Sequence, residues 1–182
     1  MTPRSVVLTY EDYVSLPNDG RRYEIHDGEL SVTPTPTFRH QSVLAALLGV
    51  LRAHVLAHGL GEVVPAPITV VLAETTVVEP DIVYMASERM SIVSARGTVD
   101  GAPTLAVEIL SPSTARNDRQ TKKQLFGRYG VPCYWIVDTD ARAIEVYRAE
   151  SGVCGDADRR TGELIDLPPF TGLRIDPAVL WR

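Results

Sequence analysis

The sequence contains few cysteines, no long apolar run and no excess of positive charge. Its two cysteines, Cys133 and Cys154, lie outside any Cys-x-x-Cys motif, which predicts free thiols and a reducing, cytoplasmic environment. No uninterrupted apolar stretch of about 18 residues occurs, so a membrane-spanning helix is not expected. The N-terminal segment turns acidic after one short apolar run, unlike a secretory signal. The net charge of −5 argues against non-specific coating of nucleic acid, which requires a basic surface.

The remaining composition is typical of a globular protein. The 182 residues are 45% hydrophobic and 23% charged, which is sufficient for a substantial buried core. No internal repeat, low-complexity segment or linker divides the chain. We therefore expect residues 1–182 to form a single domain.

The N-terminal part carries clear signals for local structure. Thr9 followed by Asp12 predicts the capped start of a short helix. Asp27-Gly28 separates two alternating apolar runs and predicts the turn of a β-hairpin. The TPTPT segment at 33–37 cannot be helical and predicts a stiff connector. This part should therefore consist of a helix, a hairpin and an extended connector.

The rest of the chain alternates between strand-like and helical patterns. Apolar residues recur at three- and four-residue steps over 39–58, which predicts a long helix ended by Gly59, and a second helix is predicted at about 117–129. The predicted strands cover residues 68–73, 75–78, 81–85, 104–110, 133–138 and 143–148. Strands interleaved with helices predict an α/β fold with a mixed β-sheet flanked by helices.

Two carboxylates stand in apolar strands. Glu108 lies within the run LAVEIL, where burial of an unpaired charge costs several kcal/mol. Its carboxylate should therefore meet a cation, a hydrogen-bond donor or an open cleft. The alternative is an edge strand whose polar face contains Glu108. Asp81 begins another apolar strand directly after Pro80, and its alternative is an ordinary turn residue.

A lysine occupies the apolar face of the second predicted helix. Lys122 is followed at three-, four- and seven-residue spacing by Leu125, Phe126 and Tyr129, so all four share one face. The neighbouring Lys123 projects roughly 100° away, toward solvent. The alternative is that Lys122 extends its ammonium group out of the apolar face into water.

Asp81, Glu108 and Lys122 together predict a metal-dependent hydrolytic site. Two carboxylates on adjacent strands can hold Mg²⁺ or Mn²⁺ through oxygen ligands. A nearby lysine can orient or deprotonate a water molecule and offset the charge that develops on a phosphate. Three other carboxylates have the positions of ordinary loop or strand-edge charges: Glu62, Glu74 and Glu79. His54 and His58 have a spacing that suits zinc, but a third ligand is missing.

Four blocks of the sequence resemble the Uma-two family of bacterial nuclease-like proteins. The blocks are YEIHDGEL, PTPTFRHQ, VVEPDIVY and LAVEILSPST…NDRQTKKQLFGRYGVPCYWIVD, and they follow one another in the family's order over residues 8–148. The resemblance implies a restriction-endonuclease-like fold. It also implies the metal site of the wider superfamily, which uses a Pro-Asp pair and a strand with an acidic residue, any residue and a lysine.

This chain departs from the superfamily pattern at one position. Leu110 stands where the superfamily places its lysine, and the resemblance implies that the lysine has moved to Lys122 on the following helix. The carbonyl oxygen of Ile109 becomes a further candidate metal ligand. The resemblance adds two secondary candidates, Glu24 as a third acidic ligand and His40 as a contact for phosphate. Their alternatives are an exposed strand position and a local cap.

The leading hypothesis is a cytoplasmic endonuclease that hydrolyses phosphodiester bonds in DNA with Mg²⁺ or Mn²⁺. A homodimer would place two sites on a duplex, one for each strand. One alternative is a catalytically inactive nuclease-fold module that binds a protein or nucleic acid, which the acidic charge favours. Another is a metal-dependent hydrolase of a small phosphorylated molecule.

Adjacent lysines provide an internal control for the catalytic assignment. Lys122→Ala should abolish nuclease activity, with a loss on the order of 10²–10³-fold or more, whereas Lys123→Ala should remain nearly as active as the wild type. For Lys122→Ala we expect no loss of stability, because removal of a buried charge beside two carboxylates is often tolerated once metal is bound. Cleavage rates of the two purified proteins test the assignment, since equal losses would contradict it.

Overall fold

The fold is described for residues 6–182 in a computed structural model. Residues 1–5, on which part of the expectation about a signal sequence rests, lie outside the described residues. The helices are α1 (Tyr10–Val14), α2 (Phe38–His58), α3 (Ala115–Asn117), α4 (Lys123–Arg128) and α5 (Pro177–Leu180). The N-terminal strands are β1 (Arg22–His26), β2 (Glu29–Thr33), β3 (Gly61–Pro65), β4 (Val70–Ala73), β5 (Thr76–Val78), β6 (Ile82–Ala86) and β7 (Val99–Asp100). The later strands are β8 (Leu105–Ile109), β9 (Cys133–Asp138), β10 (Ala143–Glu150), β11 (Val153–Cys154), β12 (Asp158–Arg160), β13 (Leu164–Ile165) and β14 (Arg174–Ile175).

Two larger sheets carry the fold. A seven-stranded sheet contains the path β11-β10-β9-β8-β6-β3, with β12 paired to β10, and a five-stranded sheet has the order β2-β1-β5-β4-β7. β8 and β9 run parallel while β8 and β6 run antiparallel, so the central part of the larger sheet is mixed. The predicted α/β class with a mixed sheet and flanking helices is confirmed.

The chain passes from one sheet to the other at Pro80. β5 belongs to the five-stranded sheet and β6 to the seven-stranded sheet, and Pro80 lies in the short segment between them. Proline removes a ladder donor and is therefore suited to such a break. The strand predicted from residue 81 begins instead at Ile82, which leaves Asp81 at the entrance of the strand.

The predicted N-terminal helix and hairpin are both present. The Thr9 side chain and the Asp12 side chain cap each other's backbone N–H groups at the start of α1. The β1–β2 hairpin turns through Asp27 and Gly28, whose φ angles of 50° and 87° match the turn that suits the twist of a two-residue hairpin.

The long helix α2 packs on one face of the seven-stranded sheet. Val43, Leu47, Leu51 and Val55 recur at four-residue steps and are buried against that sheet. The helix ends where Gly59 adopts a left-handed conformation, with φ of 61°. In length and composition alone α2 also resembles a membrane-crossing helix, a property that core helices share.

The second predicted helix differs from the expectation at its N-terminal end. It begins at Ala115 rather than at Asn117, and residues 118–122 form a π-helical turn between α3 and α4. A π turn contains one residue more than an α turn and often occurs at functional sites. Leu125 and Phe126 of α4 pack on the sheet face opposite α2.

Two helical glycines give opposite expectations for the same substitution. In Gly127→Ala the new Cβ would lie 2.6 Å from the backbone nitrogen of Cys154, so α4 would have to move away from β11. We expect a loss of about 1–3 kcal/mol in the free energy of unfolding. In Gly49→Ala no atom lies within 4 Å of the new Cβ, and the exposed interior of α2 should gain about 0.5–1 kcal/mol. Urea denaturation measures both changes, and a stable Gly127→Ala protein would contradict the close packing.

Candidate functional site

A polar pocket of about 280 Å³ lies beside the start of β6 and the end of β8. The connector 33–37 and the loop 111–114 form its walls. The ionisable side chains that line it are Arg22, His40, Asp81, Glu108, Asp118 and Lys122. The three residues predicted to form the site, and the secondary candidate His40, therefore meet in one pocket.

Asp81 and Glu108 face each other across adjacent strands. Ile82 pairs with Val107 in the antiparallel β6–β8 ladder, so Asp81 and Glu108 occupy the next opposed positions. Ile82 and Val107 point to the sheet face that α2 covers. Asp81 and Glu108 are their neighbours in the chain and therefore lie on the opposite face, which α4 covers. β8 lies between β6 and β9, so the alternative of an edge strand for Glu108 is wrong.

Asp81 is held by three donors. Its Oδ2 accepts hydrogen bonds from the backbone N–H of Ile109 at 2.8 Å and from Nε2 of His40 at 3.0 Å. Its Oδ1 lies 2.9 Å from Nη1 of Arg22. Burial alone would raise the pKa of Asp81, but these donors lower it to about 2. Asp81 lies in a bend before β6, as the turn alternative expects, but it is also a buried carboxylate that remains charged.

Lys122 reaches from the helix to carboxylates of both sheets. Its Nζ lies 2.7 Å from Oε1 of Glu108 in β8 and 2.7 Å from Oε1 of Glu24 in β1. The side chain is buried, so the alternative of a lysine that extends into water is wrong. Burial alone would lower the pKa of Lys122, but the carboxylates of Glu108 and Glu24 raise it, so the ammonium group keeps its charge.

These ion pairs change the expectation for Lys122→Ala. Removal of the ammonium group leaves Glu24 and Glu108 buried without their cation. Loss of one partner of a buried ion pair costs about 3–5 kcal/mol. The sequence-based expectation that this variant keeps its stability once metal is bound did not include Glu24 as a partner, and we now expect Lys122→Ala to destabilise the ion-free protein.

Glu24 anchors the lysine and is only 1% exposed. Its Oε1 accepts the backbone N–H of Glu79 at 2.7 Å, and its Oε2 lies 3.1 Å from Nε2 of His26. Burial opposes ionisation, but Lys122 and His26 lower the pKa of Glu24 to about 2. The alternative of an exposed strand position is wrong.

Glu108 has the opposite electrostatic balance. Burial raises the pKa of Glu108 well above its ordinary value, and Asp81, Asp118 and Glu24 add to that effect while Lys122 opposes it. Burial and neighbouring carboxylates likewise raise the pKa of Asp118. The pocket therefore holds more negative charge than its buried cations offset.

The sequence did not identify Arg22, Asp118 or Glu79 as part of the site. Asp118 is buried and lines the pocket, and Arg22 pairs with Asp81 and donates to the backbone carbonyl of Glu79. Glu79, expected to be an ordinary loop or strand-edge charge, is buried and accepts a hydrogen bond from the Tyr13 hydroxyl at 2.6 Å. The signal for Arg22 is its alternation with Glu24 and His26, since a strand presents every second side chain on one face.

The residues present fit a divalent cation. An excess of buried carboxylate is the condition that such an ion relieves, and no hydrogen bond from residues 6–182 to Glu108 Oε2 would block it. Across residues 6–182, no three His, Cys, Asp or Glu side chains are arranged to hold an ion by themselves. Mg²⁺ retains several waters and often takes only one or two protein carboxylates together with substrate phosphate, so a two-carboxylate site suits it.

A comparison with protein families assigns the chain to one of them. The family described as "Putative restriction endonuclease", Uma2, matches residues 10–178. The chain belongs to the Uma2 family. The resemblance found in the sequence is thus confirmed, and membership supports a nuclease function.

One solved structure shows the fold of the Uma2 chain independently. It is described as a putative nuclease belonging to DUF820 from Anabaena variabilis, with a TM-score of 0.79 and 19% sequence identity. The match covers 96% of this chain and 97% of that chain, which confirms the nuclease-like fold. A comparison with curated proteins finds no match.

The two carboxylates that contact Lys122 should respond oppositely to an isosteric change. Glu24→Gln should lose about 3 kcal/mol of stability at neutral pH, because a carboxylate with a lowered pKa stabilises the folded state when charged. That contribution should disappear as the pH falls below the ordinary value of a glutamate toward about 2. Glu108→Gln should gain stability at neutral pH, because it removes a charge that burial and the neighbouring carboxylates disfavour in the fold.

Urea denaturation at pH 7 with EDTA measures both effects without bound cations. Glu62→Gln, at an exposed position of β3, is the matched control and should leave stability unchanged. Destabilisation by Glu108→Gln of the same size as by Glu24→Gln would contradict the charge balance of the pocket.

Proposed function

We propose that this Uma2 protein is a metal-dependent endonuclease that hydrolyses phosphodiester bonds in DNA. The supporting observation is the opposed pair Asp81 and Glu108, with the Lys122 ammonium 2.7 Å from Glu108, at the base of an open pocket. Two strand carboxylates with an adjacent lysine can bind an ion, position a water and stabilise a phosphorane-like transition state.

In this proposal the ion is Mg²⁺ or Mn²⁺, held by the carboxylates of Asp81 and Glu108 and by the carbonyl oxygen of Ile109. When bound, the ion supplies a Lewis acid for the phosphate and a water of lowered pKa. Asp81 is suited to this role because it stays ionised, and its Oδ2 is fixed by the Ile109 N–H and His40.

Lys122 would act as a donor and a positive charge rather than as a base. Its carboxylate partners raise its pKa, so it does not give up a proton near neutral pH. An N–H of the ammonium group can orient the attacking water, and its charge offsets the charge that develops on the phosphate. Glu24 would be a positioning residue, because it fixes Nζ at 2.7 Å without lining the pocket itself.

The walls of the pocket suit a phosphate group. Ser111, Ser113 and Thr114 line it. The hydroxyl oxygen of Ser111 lies 3.0 Å from that of Ser113 and 3.1 Å from that of Thr114. Such hydroxyls can turn to donate to phosphate oxygens. Because one pocket cuts one strand, a homodimer is proposed for cleavage of both strands of a duplex.

The second candidate is a non-catalytic nuclease-fold module that binds a partner. The net charge of −5 favours it, because the overall field opposes approach of a polyanion. It predicts that the pocket residues act through internal ion pairs alone, without metal-dependent turnover.

A plasmid cleavage assay separates these functions. Supercoiled DNA should be nicked or linearised with Mg²⁺ or Mn²⁺ and stay intact with EDTA. Asp81→Asn should lose at least about 10²-fold in rate, since it removes a metal ligand. Asp156→Asn is the matched control, because Asp156 is exposed and distant in sequence from the pocket.

Hydrolysis of nucleotides with intact plasmid would favour a small-molecule hydrolase. Intact DNA and nucleotides under all conditions, with correctly folded protein, would favour the non-catalytic module.

A further inference from the structure

Arg22 occupies the one oxygen of Asp81 that the backbone leaves open. A carboxylate oxygen has two acceptor positions. Those of Oδ2 are filled by the Ile109 N–H and His40. Within residues 6–182, Oδ1 receives only Nη1 of Arg22, at 2.9 Å. A cation that reaches Asp81 must therefore approach the oxygen that already carries a guanidinium group.

The guanidinium group and a divalent ion exclude each other there. Both are positive, both seek Oδ1, and a buried pocket screens their repulsion weakly. The Arg22 side chain is 21% exposed and is held at its other end by the backbone carbonyl of Glu79. Among the arginines and lysines of residues 6–182, Arg22 is the one bonded to Asp81, whereas Lys122 is bonded to Glu108 and Glu24.

Arg22 is also placed to leave Asp81 without leaving the pocket. It lines the pocket together with Thr33 and Pro34 of the wall formed by the connector 33–37. Its Nε is buried and has no hydrogen-bond partner within residues 6–182, and Oε2 of Glu79 lies 3.6 Å away. A guanidinium group that lines the pocket presents the fork geometry that phosphate accepts.

We propose that Arg22 is an internal counter-ion that occupies Asp81 in the ion-free protein, competes with the divalent ion, and turns to a substrate phosphate when the ion binds. The proposal rests on the proposed metal site at Asp81 and Glu108. It predicts weak ion binding without substrate, because each ion must first displace the guanidinium group, and stronger binding once a phosphate accepts Arg22.

Neighbouring arginines provide the test. Arg22→Gln removes the charge but keeps a donor for the Glu79 carbonyl, whereas Arg21→Gln removes the same charge from an exposed side chain paired with Asp19. Calorimetric titration with Mn²⁺ in the absence of DNA should show at least about tenfold tighter binding for Arg22→Gln than for the wild type. Arg21→Gln should bind Mn²⁺ as the wild type does.

A second measurement uses the wild-type protein and does not depend on how the variant folds. Phenylglyoxal modifies accessible arginines, and mass spectrometry identifies each site. Arg22 should react slowly in EDTA and at least several-fold faster with saturating Mn²⁺, while Arg21 should react equally in both. Unchanged reactivity of Arg22 with Mn²⁺ would overturn the release of Arg22.

The outcomes separate this inference from the proposed function. If the wild type binds Mn²⁺ and folded Arg22→Gln binds it no more tightly, the competition is wrong while the metal site stands. If neither protein binds Mn²⁺, with or without a DNA oligonucleotide, the metal site and the counter-ion role both fall.

Discussion

One buried ammonium group joins the three elements that build the pocket. Glu24 belongs to the five-stranded sheet, Glu108 to the seven-stranded sheet, and Lys122 to the helical segment that covers them. Burial of each charge is tolerable only in the presence of the others, since an isolated buried ion costs several kcal/mol. The relative placement of sheets and helix is therefore coupled to the same contacts that fix the candidate site.

The sequence was informative where a single residue contradicted its local pattern. Glu108 in an apolar strand and Lys122 on an apolar helix face could be identified from their neighbours in the chain. Arg22 and Glu79 could not, because the alternation of Arg22 with Glu24 and His26 does not show what covers that strand face, and Glu79 lies between β5 and β6. Arg22 meets Asp81, and Glu79 meets Tyr13, only through contacts between residues far apart in the chain, which no local pattern records.

The pocket shows why candidate sites and stable cores obey different rules. Around Glu24 the neighbouring cations stabilise the ionised carboxylate and so favour the folded state. Around Glu108 the positive charge does not offset burial and the neighbouring carboxylates. Natural proteins accept such local costs where a ligand is to be bound, and recover stability elsewhere. Here that stability comes from apolar packing on both faces of the seven-stranded sheet. α2 packs on one face, and Leu125 and Phe126 pack on the other.

The π-helical turn at residues 118–122 changes the direction in which side chains point on either side of it. One additional residue in a turn offsets the two ends by roughly 100° relative to an unbroken α-helix. The upstream end can follow the loop 111–114 at the pocket wall, while the downstream end keeps Leu125 and Phe126 in the core. Evolution can therefore reshape the loop without repacking the interior. An alignment that closes this turn with a gap would pair Lys122 of this chain with the wrong position in a relative.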